Sequence, residues 1–263
     1  MESVSEPENH PSPRISFTCT DAEGSVLAAR DQDRPYYAAS TMKVAVLLAA
    51  LRQVASGSLD LAAPVVATAT FTGHGAAFTL DGDHLDEQFP VAGTELTVAE
   101  VLTPMITRST NEATNLAMQL VGLDAIGQVV SDLGLASTRI ERLIGDVDAR
   151  EAGLTNEVSS RDLTTLTRAL LTDRFGLGAE LTAFATGLLE AQELPIIGAV
   201  LPAGVRWGSK SGWIDGIRHD LAFAGEPGAE LHLAVCTEGL DQQTADQAIG
   251  ALAQALLVPR LAG

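Results

Sequence analysis

Ser40 and Lys43 are spaced so that a hydroxyl and an amine could act on each other. They lie in the segment STMK, directly before the apolar run VAVLLAAL. Residues three apart share one face of a helix, and a lysine in a buried, crowded site can lose its proton and act as a base. The pair therefore indicates a serine nucleophile activated by a lysine. The alternative is a helix cap beside a surface charge.

Lys210 favours the catalytic interpretation, because it and Lys43 are the only lysines of the chain. Lys210 begins the motif KSG at the end of a predicted strand. Between the two lysines, the triplet STN supplies Ser109, which could pass a proton to a leaving group, and Asn111, whose amide could hold a substrate carbonyl. The four residues STNE are also a predicted capping box that opens a helix, and the two roles are compatible.

The order of the predicted elements would bring these motifs together. Two early strands, ISFTCT and SVLAAR, precede a buried helix over about 41–56, and a block of helices follows over about 60–200. Three late strands, GVRWGS, HDLAFAG and AELHLAVCT, precede a final helix over about 241–257. We therefore predict an α+β fold in which helices flank a five-stranded antiparallel sheet, with an inserted all-α lobe.

The chain divides into a leader and one folded domain. Residues 1–14, which are polar and contain three prolines, are predicted to be a disordered leader before the domain of residues 15–263. That domain would consist of an α/β lobe, about 15–60 and 203–263, and an all-α lobe, about 61–202. The leader has no apolar segment typical of a signal peptide, so we expect a cytoplasmic protein, or a secreted one if the chain is a trimmed form.

Composition and charge exclude several classes of function. The net charge of −18 repels phosphate backbones, so we expect no nucleic-acid partner. No apolar stretch approaches the ~18 residues of a membrane span. The five histidines lack zinc spacing, and the acidic segment DGDHLDE lacks the pattern of a calcium loop. We expect a monomer with no metal or cofactor, and two buried, reduced cysteines, Cys19 and Cys236.

Together the three motifs resemble those of the class A β-lactamases and penicillin-binding serine hydrolases. The likeness extends from about residue 15 to the C-terminus. MITRSTNEATNLAMQLVG resembles the segment around the family's S-D-N motif, KSGWIDGIRHDLAF resembles its K-T-G strand, turn and following strand, and SSRDLTTLTRAL resembles the helix after its Ω-loop. The resemblance implies a serine hydrolase that acts on a β-lactam or a related amide through an acyl-enzyme.

The resemblance also implies a role for each matching residue. Ser40 would be acylated after activation by Lys43, and its own N–H and that of Trp213 would form the oxyanion hole. Ser109, supported by Lys210, would protonate the leaving nitrogen. The substrate-binding residues would be Asn111, Ser211, Gly212, Trp213 and Arg218. Arg218, with His219 beside it, would help bind a substrate carboxylate; the alternative is a charge at the end of a strand.

The chain departs from the family's pattern at two places. Thr110 stands where β-lactamases usually carry Asp, which puts local rigidity in question. In the Ω-loop, the spacing from Arg161 places Ala149 where the family has its deacylating glutamate. Asp148 and Glu151 lie on either side, and E-x-x-x-x-N, which ends at Asn156, is one residue longer than the family's motif.

These departures leave alternatives open. Glu151 or Asp148 could reach Ser40 through a shifted loop, or both could be solvated charges, in which case deacylation is slow. The chain could then be a β-lactam hydrolase, a cytoplasmic esterase, peptidase or amidase, or a β-lactam-binding module with slow or no deacylation. The family's sheet would also make the strands of Cys19 and Cys236 neighbours, which raises the question of a disulfide.

Overall fold

A five-stranded antiparallel sheet organises the protein, and a computed structural model describes residues 12–261. The strands lie in the order β10-β11-β12-β1-β2. Their bounds are Arg14–Thr20 for β1, Val26–Arg30 for β2, Trp207–Ile214 for β10, Ile217–Ala224 for β11 and Leu231–Glu238 for β12. The predicted sheet of two early and three late strands is therefore confirmed, and β1 joins the early strands to the late ones because it pairs with β12 along seven residues.

Shorter strands complete the connections between the helices. They are β3 (Tyr36–Tyr37), β4 (Pro64–Val66), β5 (Thr70–Thr72), β6 (Ala77–Thr79), β7 (Glu95–Thr97), β8 (Arg139–Ile140) and β9 (Asn156–Val158). β3, β9 and β8 form a three-stranded sheet, whereas β4 pairs with β7 and β5 pairs with β6. The segment predicted as all-α thus contains six strands of two or three residues each, all within the described part of the chain.

Nine helices lie within residues 12–261. They are α1 (Lys43–Ala55), α2 (Val98–Thr107), α3 (Asn111–Val121), α4 (Leu123–Asp132), α5 (Val147–Glu151), α6 (Ser160–Leu171), α7 (Ala179–Glu190), α8 (Gln242–Leu256) and α9 (Val258–Leu261). Three short 3-10 helices add Ala39–Met42, Gly82–His84 and Gly198–Val200. None of these helices is long and apolar enough to cross a membrane.

The helix ends show where local sequence signals hold and where they fail. Thr97 and Glu100 form the predicted capping box of α2. The capping box predicted for STNE is wrong, because α3 is capped by Thr110, whose side chain makes no cap hydrogen bond. Ser109, directly before this cap, has a φ of 65°, and its hydroxyl contacts the amines of Lys43 and Lys210. Because Ser109 does not cap α3, its hydroxyl is available for a role in the reaction.

The core lies on both faces of the large sheet. α1 is buried on every side from Lys43 to Leu51, which confirms the predicted central helix. The opposite face packs under α8, where Leu233 and Val235 meet Ile249 and Ala253. Fully burying an aliphatic side chain stabilises the folded state by about 1.5–3 kcal/mol. These contacts therefore stabilise both faces of the sheet that contains β10, the strand with the KSG motif.

The two cysteines lie on opposite faces of the sheet. Cys19 belongs to the apolar cluster under α8, whereas Cys236 belongs to the cluster that contains α1. In the register of β1 and β12, Cys236 is opposite Ser16, and Cys19 lies three positions further along β1. Because side chains alternate along a strand, both thiols are free and buried, and they do not form a disulfide.

The predicted leader lies mostly outside the described residues, which begin at residue 12. Arg14, the last residue assigned to that leader, is already part of β1 and pairs with Glu238. The strand therefore begins one residue before the predicted domain boundary. The division of the domain into two lobes stays a prediction.

Candidate active site

Ser40 lies in the 3-10 helix that joins β3 to α1. Ala39, directly before it, has a φ of 44°, a left-handed conformation that costs free energy for a residue with a side chain. The surrounding structure holds this strain, since Ala38 N–H donates to Asn156 O at 2.9 Å and Thr41 Oγ1 donates to Ala38 O at 2.6 Å. The result is a sharp turn that leaves Ser40 partly exposed while its neighbours are buried.

Gly212 lets strand β10 approach this turn closely. A Cβ atom at this position would lie 2.7 Å from Ser40 N and 2.9 Å from Thr41 N. Side-chain carbons do not normally approach backbone atoms so closely, so only glycine fits here without displacing the turn. The KSG motif and the STMK motif are therefore in direct contact, as the sequence predicts for one site.

Lys43 is fully buried, and its amine faces the STN motif. Nζ lies 2.6 Å from Ser109 O, 3.0 Å from Asn111 Oδ1 and 3.2 Å from Ser109 Oγ. Burial, together with the charge of Lys210, lowers the pKa of Lys43 well below its ordinary value. The hydrogen bonds of this amine in residues 12–261 go to the Ser109–Asn111 segment rather than to Ser40 Oγ.

Burial favours the neutral form of the Lys43 amine, which has two N–H groups for its two shortest contacts and one lone pair. The backbone oxygen of Ser109 and the amide oxygen of Asn111 can only accept hydrogen bonds, so they take the two N–H groups. The Ser109 hydroxyl can donate as well as accept. The lone pair of Lys43 can therefore accept the Ser109 proton, which makes a proton path between the two residues.

Lys210 reaches the same hydroxyl from the other side. Its Nζ donates to Ser109 Oγ at 3.0 Å and to Ser211 O at 2.6 Å. Burial lowers the pKa of Lys210 to about 7, and the negative charge of Asp220 offsets part of that effect. The hydroxyl of Ser109 thus lies between two buried amines, and the φ of 65° at Ser109 places it there.

Asp220 is a buried acid that the sequence did not single out. It lies opposite Ser211 in the β10–β11 register, and its Oδ2 accepts the N–H groups of Ile196 and Ile197 at 2.9 and 2.7 Å. Burial raises the pKa of Asp220 to about 6. An acidic residue within the apolar part of a predicted strand was the signal that could have revealed it.

Trp213 and Arg218 lie opposite each other at the end of the β10–β11 hairpin. Trp213 is 56% exposed, whereas Arg218 is held by Asp246 of α8, with Nε–Oδ1 at 2.6 Å and Nη2–Oδ2 at 3.1 Å. A cavity of about 110 Å³ lies between them and the start of α8. This bidentate pair orients the guanidinium at the edge of the cavity.

His219 does not join Arg218 in that cavity. Its ring is buried, with Nε2 2.9 Å from Tyr37 O and Nδ1 accepting the Thr237 N–H at 3.1 Å. This pattern requires a proton on Nε2 and none on Nδ1, and burial lowers the pKa of His219. His219 is therefore a neutral side chain that ties β3 to the sheet.

Within residues 12–261, the two acids considered for the Ω-loop, Asp148 and Glu151, make no hydrogen bond to Lys43. Asp148 and Glu151 are exposed on α5. Asp148 packs against Gly75, since a Cβ atom added to that glycine would lie 2.9 Å from Asp148 Oδ2. Ala149 is buried. The carboxylates that raise the pKa of Lys43 are those of Glu112 and Asp86, neither of which belongs to this loop.

Asn156 and Asn115 fix the backbone of the same segment. Asn156 Oδ1 accepts from the N–H groups of Glu141 and Arg142 at 3.0 and 3.3 Å, and its amide donates to Arg142 O. Asn115 binds the N–H and the carbonyl of Ile144, both at 2.8 Å. The Asn156 side chain is thus committed to the backbone, and so is that of Asn115.

A strained serine turn, two buried lysines and a shared hydroxyl beside an antiparallel sheet define a serine hydrolase of the acyl-transfer type. A family model described as the beta-lactamase enzyme family matches residues 4–258. The chain belongs to this family, and it is a β-lactamase-like serine hydrolase of class A type. No curated protein sequence matches it significantly.

Solved structures support the same fold. A β-lactamase from Sphaerobacter thermophilus is 29% identical with a TM-score of 0.80, over 95% of this chain and 92% of that one. A β-lactamase from Xanthomonas campestris is 23% identical with a TM-score of 0.79, over 96% and 93% of the two chains. A protein named PBP-A is 20% identical with a TM-score of 0.75, over 95% and 91%. The last two show the shared fold alone.

Proposed function

We propose that Ser40 attacks the carbonyl carbon of a β-lactam and becomes acylated as the lactam C–N bond breaks. Neutral Lys43 takes the proton of Ser40, and Ser109 gives its own proton to the leaving nitrogen. Lys43 then returns its proton to Ser109, so that no proton is lost. The position of Ser109 Oγ, 3.2 Å from Lys43 Nζ and 3.0 Å from Lys210 Nζ, carries this proposal.

The charge that develops on the carbonyl oxygen would be stabilised by backbone N–H groups. Ser40 N and Trp213 N are the proposed donors, and the close approach of Gly212 to Ser40 N supports this arrangement. Removing one donor of an oxyanion hole costs about 10²–10³ in rate. Ser211 and Arg218 would bind the substrate carboxylate, and Asn111 its amide carbonyl.

The same protein would release its acyl group slowly. Deacylation needs a base that activates water, and Asp148 and Glu151 are exposed on α5 and are not among the charges that shift the pKa of Lys43. Asn156 uses its amide oxygen and one of its two N–H groups for backbone contacts, which leaves a single N–H for a water molecule. We therefore infer that hydrolysis of the acyl-Ser40 ester limits turnover.

A chromogenic cephalosporin such as nitrocefin tests this order of steps. Stopped-flow mixing should give a burst about equal to the enzyme concentration, followed by a much slower steady state. Asp148→Asn and Glu151→Gln should leave both phases unchanged, because neither acid acts in deacylation. A strong loss of the steady-state phase in either variant would place that acid in the reaction. Fast turnover without a burst would show that acylation is the slow step.

The family implies a β-lactam substrate. We propose that the enzyme acts on this substrate as a monomer. We also propose that it has no nucleic-acid partner, because the net charge of −18 repels phosphate. The cytoplasmic location stays a prediction.

A further inference from the structure

The loop of residues 81–89, which contains the acidic segment DGDHLDE, contacts the STN motif. Asp86 is its central residue and is only partly exposed. Asp86 Oδ2 accepts a hydrogen bond from Thr110 Oγ1 at 2.5 Å and from Arg108 Nε at 3.1 Å. The carboxylate therefore binds two of the residues that surround Ser109.

Further bonds join the 81–89 loop to the first turn of α3. Asp86 N–H donates to the buried carboxylate of Glu112, at 3.1 and 3.3 Å from its two oxygens. Asn111 Nδ2 donates to His84 O at 3.3 Å. This last bond turns the amide so that Asn111 Oδ1 faces Lys43 Nζ at 3.0 Å. The loop thus sets the orientation of a side chain that contacts the lysine.

The conformation of Ser109 makes such support necessary. A φ of 65° is unfavourable for a residue with a side chain and persists only where neighbouring contacts hold it. Thr110 does not use its hydroxyl as a helix cap, and the hydroxyl goes to Asp86 instead. Asp86 therefore anchors the residue next to the strained one.

We propose that Asp86 is a positioning residue for the acylation of Ser40, acting through Thr110 and the 81–89 loop on Ser109 and Asn111. This inference rests on the proposed function. The proposal also explains the threonine at position 110, where β-lactamases usually carry Asp within the S-D-N motif. In this protein the carboxylate comes from Asp86, which binds the Thr110 hydroxyl. A small displacement of reacting groups can cost about 10²-fold in rate.

Kinetics of Asp86→Ala and Thr110→Val test the positioning role. Each should lower the rate of acylation by a β-lactam about tenfold to hundredfold, with little change in noncovalent affinity. The double variant should be no slower than the slower single variant, because both changes break the same bond. Asp86→Asn keeps an acceptor oxygen and should recover part of the rate. Asp83→Ala, which changes an exposed acid of the same loop, is the matched control.

The pH profile separates positioning near the lysines from a general loss of stability. The charged groups that act on Lys43 are Lys210, Glu112 and Asp86, and Asp86 is one of the two that raise its pKa. Both Asp86→Ala and Asp86→Asn should therefore shift the acidic limb of the acylation profile to lower pH, because neutral Lys43 is then more abundant. Asp83→Ala should not shift it.

Hydrogen–deuterium exchange tests, without any substrate, whether Asp86 stabilises the backbone around Ser109. Asp86→Ala should speed exchange about tenfold in peptides that cover 81–89 and 108–116, and Asp83→Ala should not. If exchange changes as expected but the parent protein is not acylated, the proposed function fails, and what stands is that Asp86 holds the backbone around Ser109 in place. Unchanged exchange, or multiplicative rate losses in the double variant, would overturn the positioning role.

Discussion

Lys43→Met should lower the rate of Ser40 acylation by about 10³-fold while the protein stays folded. General-base catalysis contributes about 10²–10⁴-fold, and methionine fills the buried site without an amine. Lys43→Arg should be at least as slow, because arginine stays protonated and cannot accept the Ser40 proton. Stopped-flow acylation with a chromogenic cephalosporin measures both rates, and circular dichroism confirms that the variants are folded.

The pH dependence of the parent protein provides the control for this prediction. The folded environment lowers the pKa of Lys43 and therefore favours its neutral form. Acylation should lose rate as the pH falls through that lowered pKa and the amine becomes protonated. The residual activity of Lys43→Met should lack this acidic limb. A Lys43→Met variant that keeps the parent rate would remove Lys43 from the mechanism.

Gly212→Ala should lower the acylation rate about a hundredfold. The added Cβ would lie 2.7 Å from Ser40 N, so either strand β10 or the serine turn must move. Both proposed donors of the oxyanion hole belong to these two segments, and a shift of reacting groups by about 1 Å can cost 10²-fold. Stopped-flow kinetics measure the rate, and thermal denaturation shows how much stability is lost.

Gly187→Ala is the matched control for that variant. Gly187 lies within α7, and apart from its chain neighbours and the backbone of its own helix no heavy atom of the described residues lies within 4 Å of an added Cβ. Alanine in a helix is favoured over glycine by roughly 0.5–1 kcal/mol, so this variant should be slightly more stable and fully active. Equal rates in Gly212→Ala and Gly187→Ala would show that the close approach at Gly212 is not required for catalysis.

The sheet and the central helix were predictable from the sequence because their signals are local. Five apolar segments read as strands, and the run after Lys43 is apolar on every side, so a buried helix was the natural prediction. The three motifs were also visible, because the two lysines of the chain stand out: Lys43 follows Ser40 by three residues, and Lys210 lies directly before Ser211. The roles assigned to Ser40, Lys43, Ser109 and Lys210 stay part of the proposal.

The contacts that shape the site were not predictable, because they join residues far apart in the chain. STNE has the pattern of a capping box, yet the left-handed backbone of Ser109 overrides that local signal. Asp86 lies 24 residues from Thr110, and nothing in its acidic segment indicates a contact with the STN motif. Asp220 stands out in the sequence as an acid within an apolar strand, but only the sheet register places it opposite Ser211.

The most direct test of the proposed mechanism is the mass of the protein after incubation with a penicillin. We expect a single adduct with the full mass of the penicillin, since opening the lactam ring expels no fragment. Peptide mapping should place the adduct on Ser40, and Ser40→Ala should show none. A parent protein with neither adduct nor penicillin hydrolysis, or an adduct that persists in Ser40→Ala, would contradict acyl transfer through Ser40.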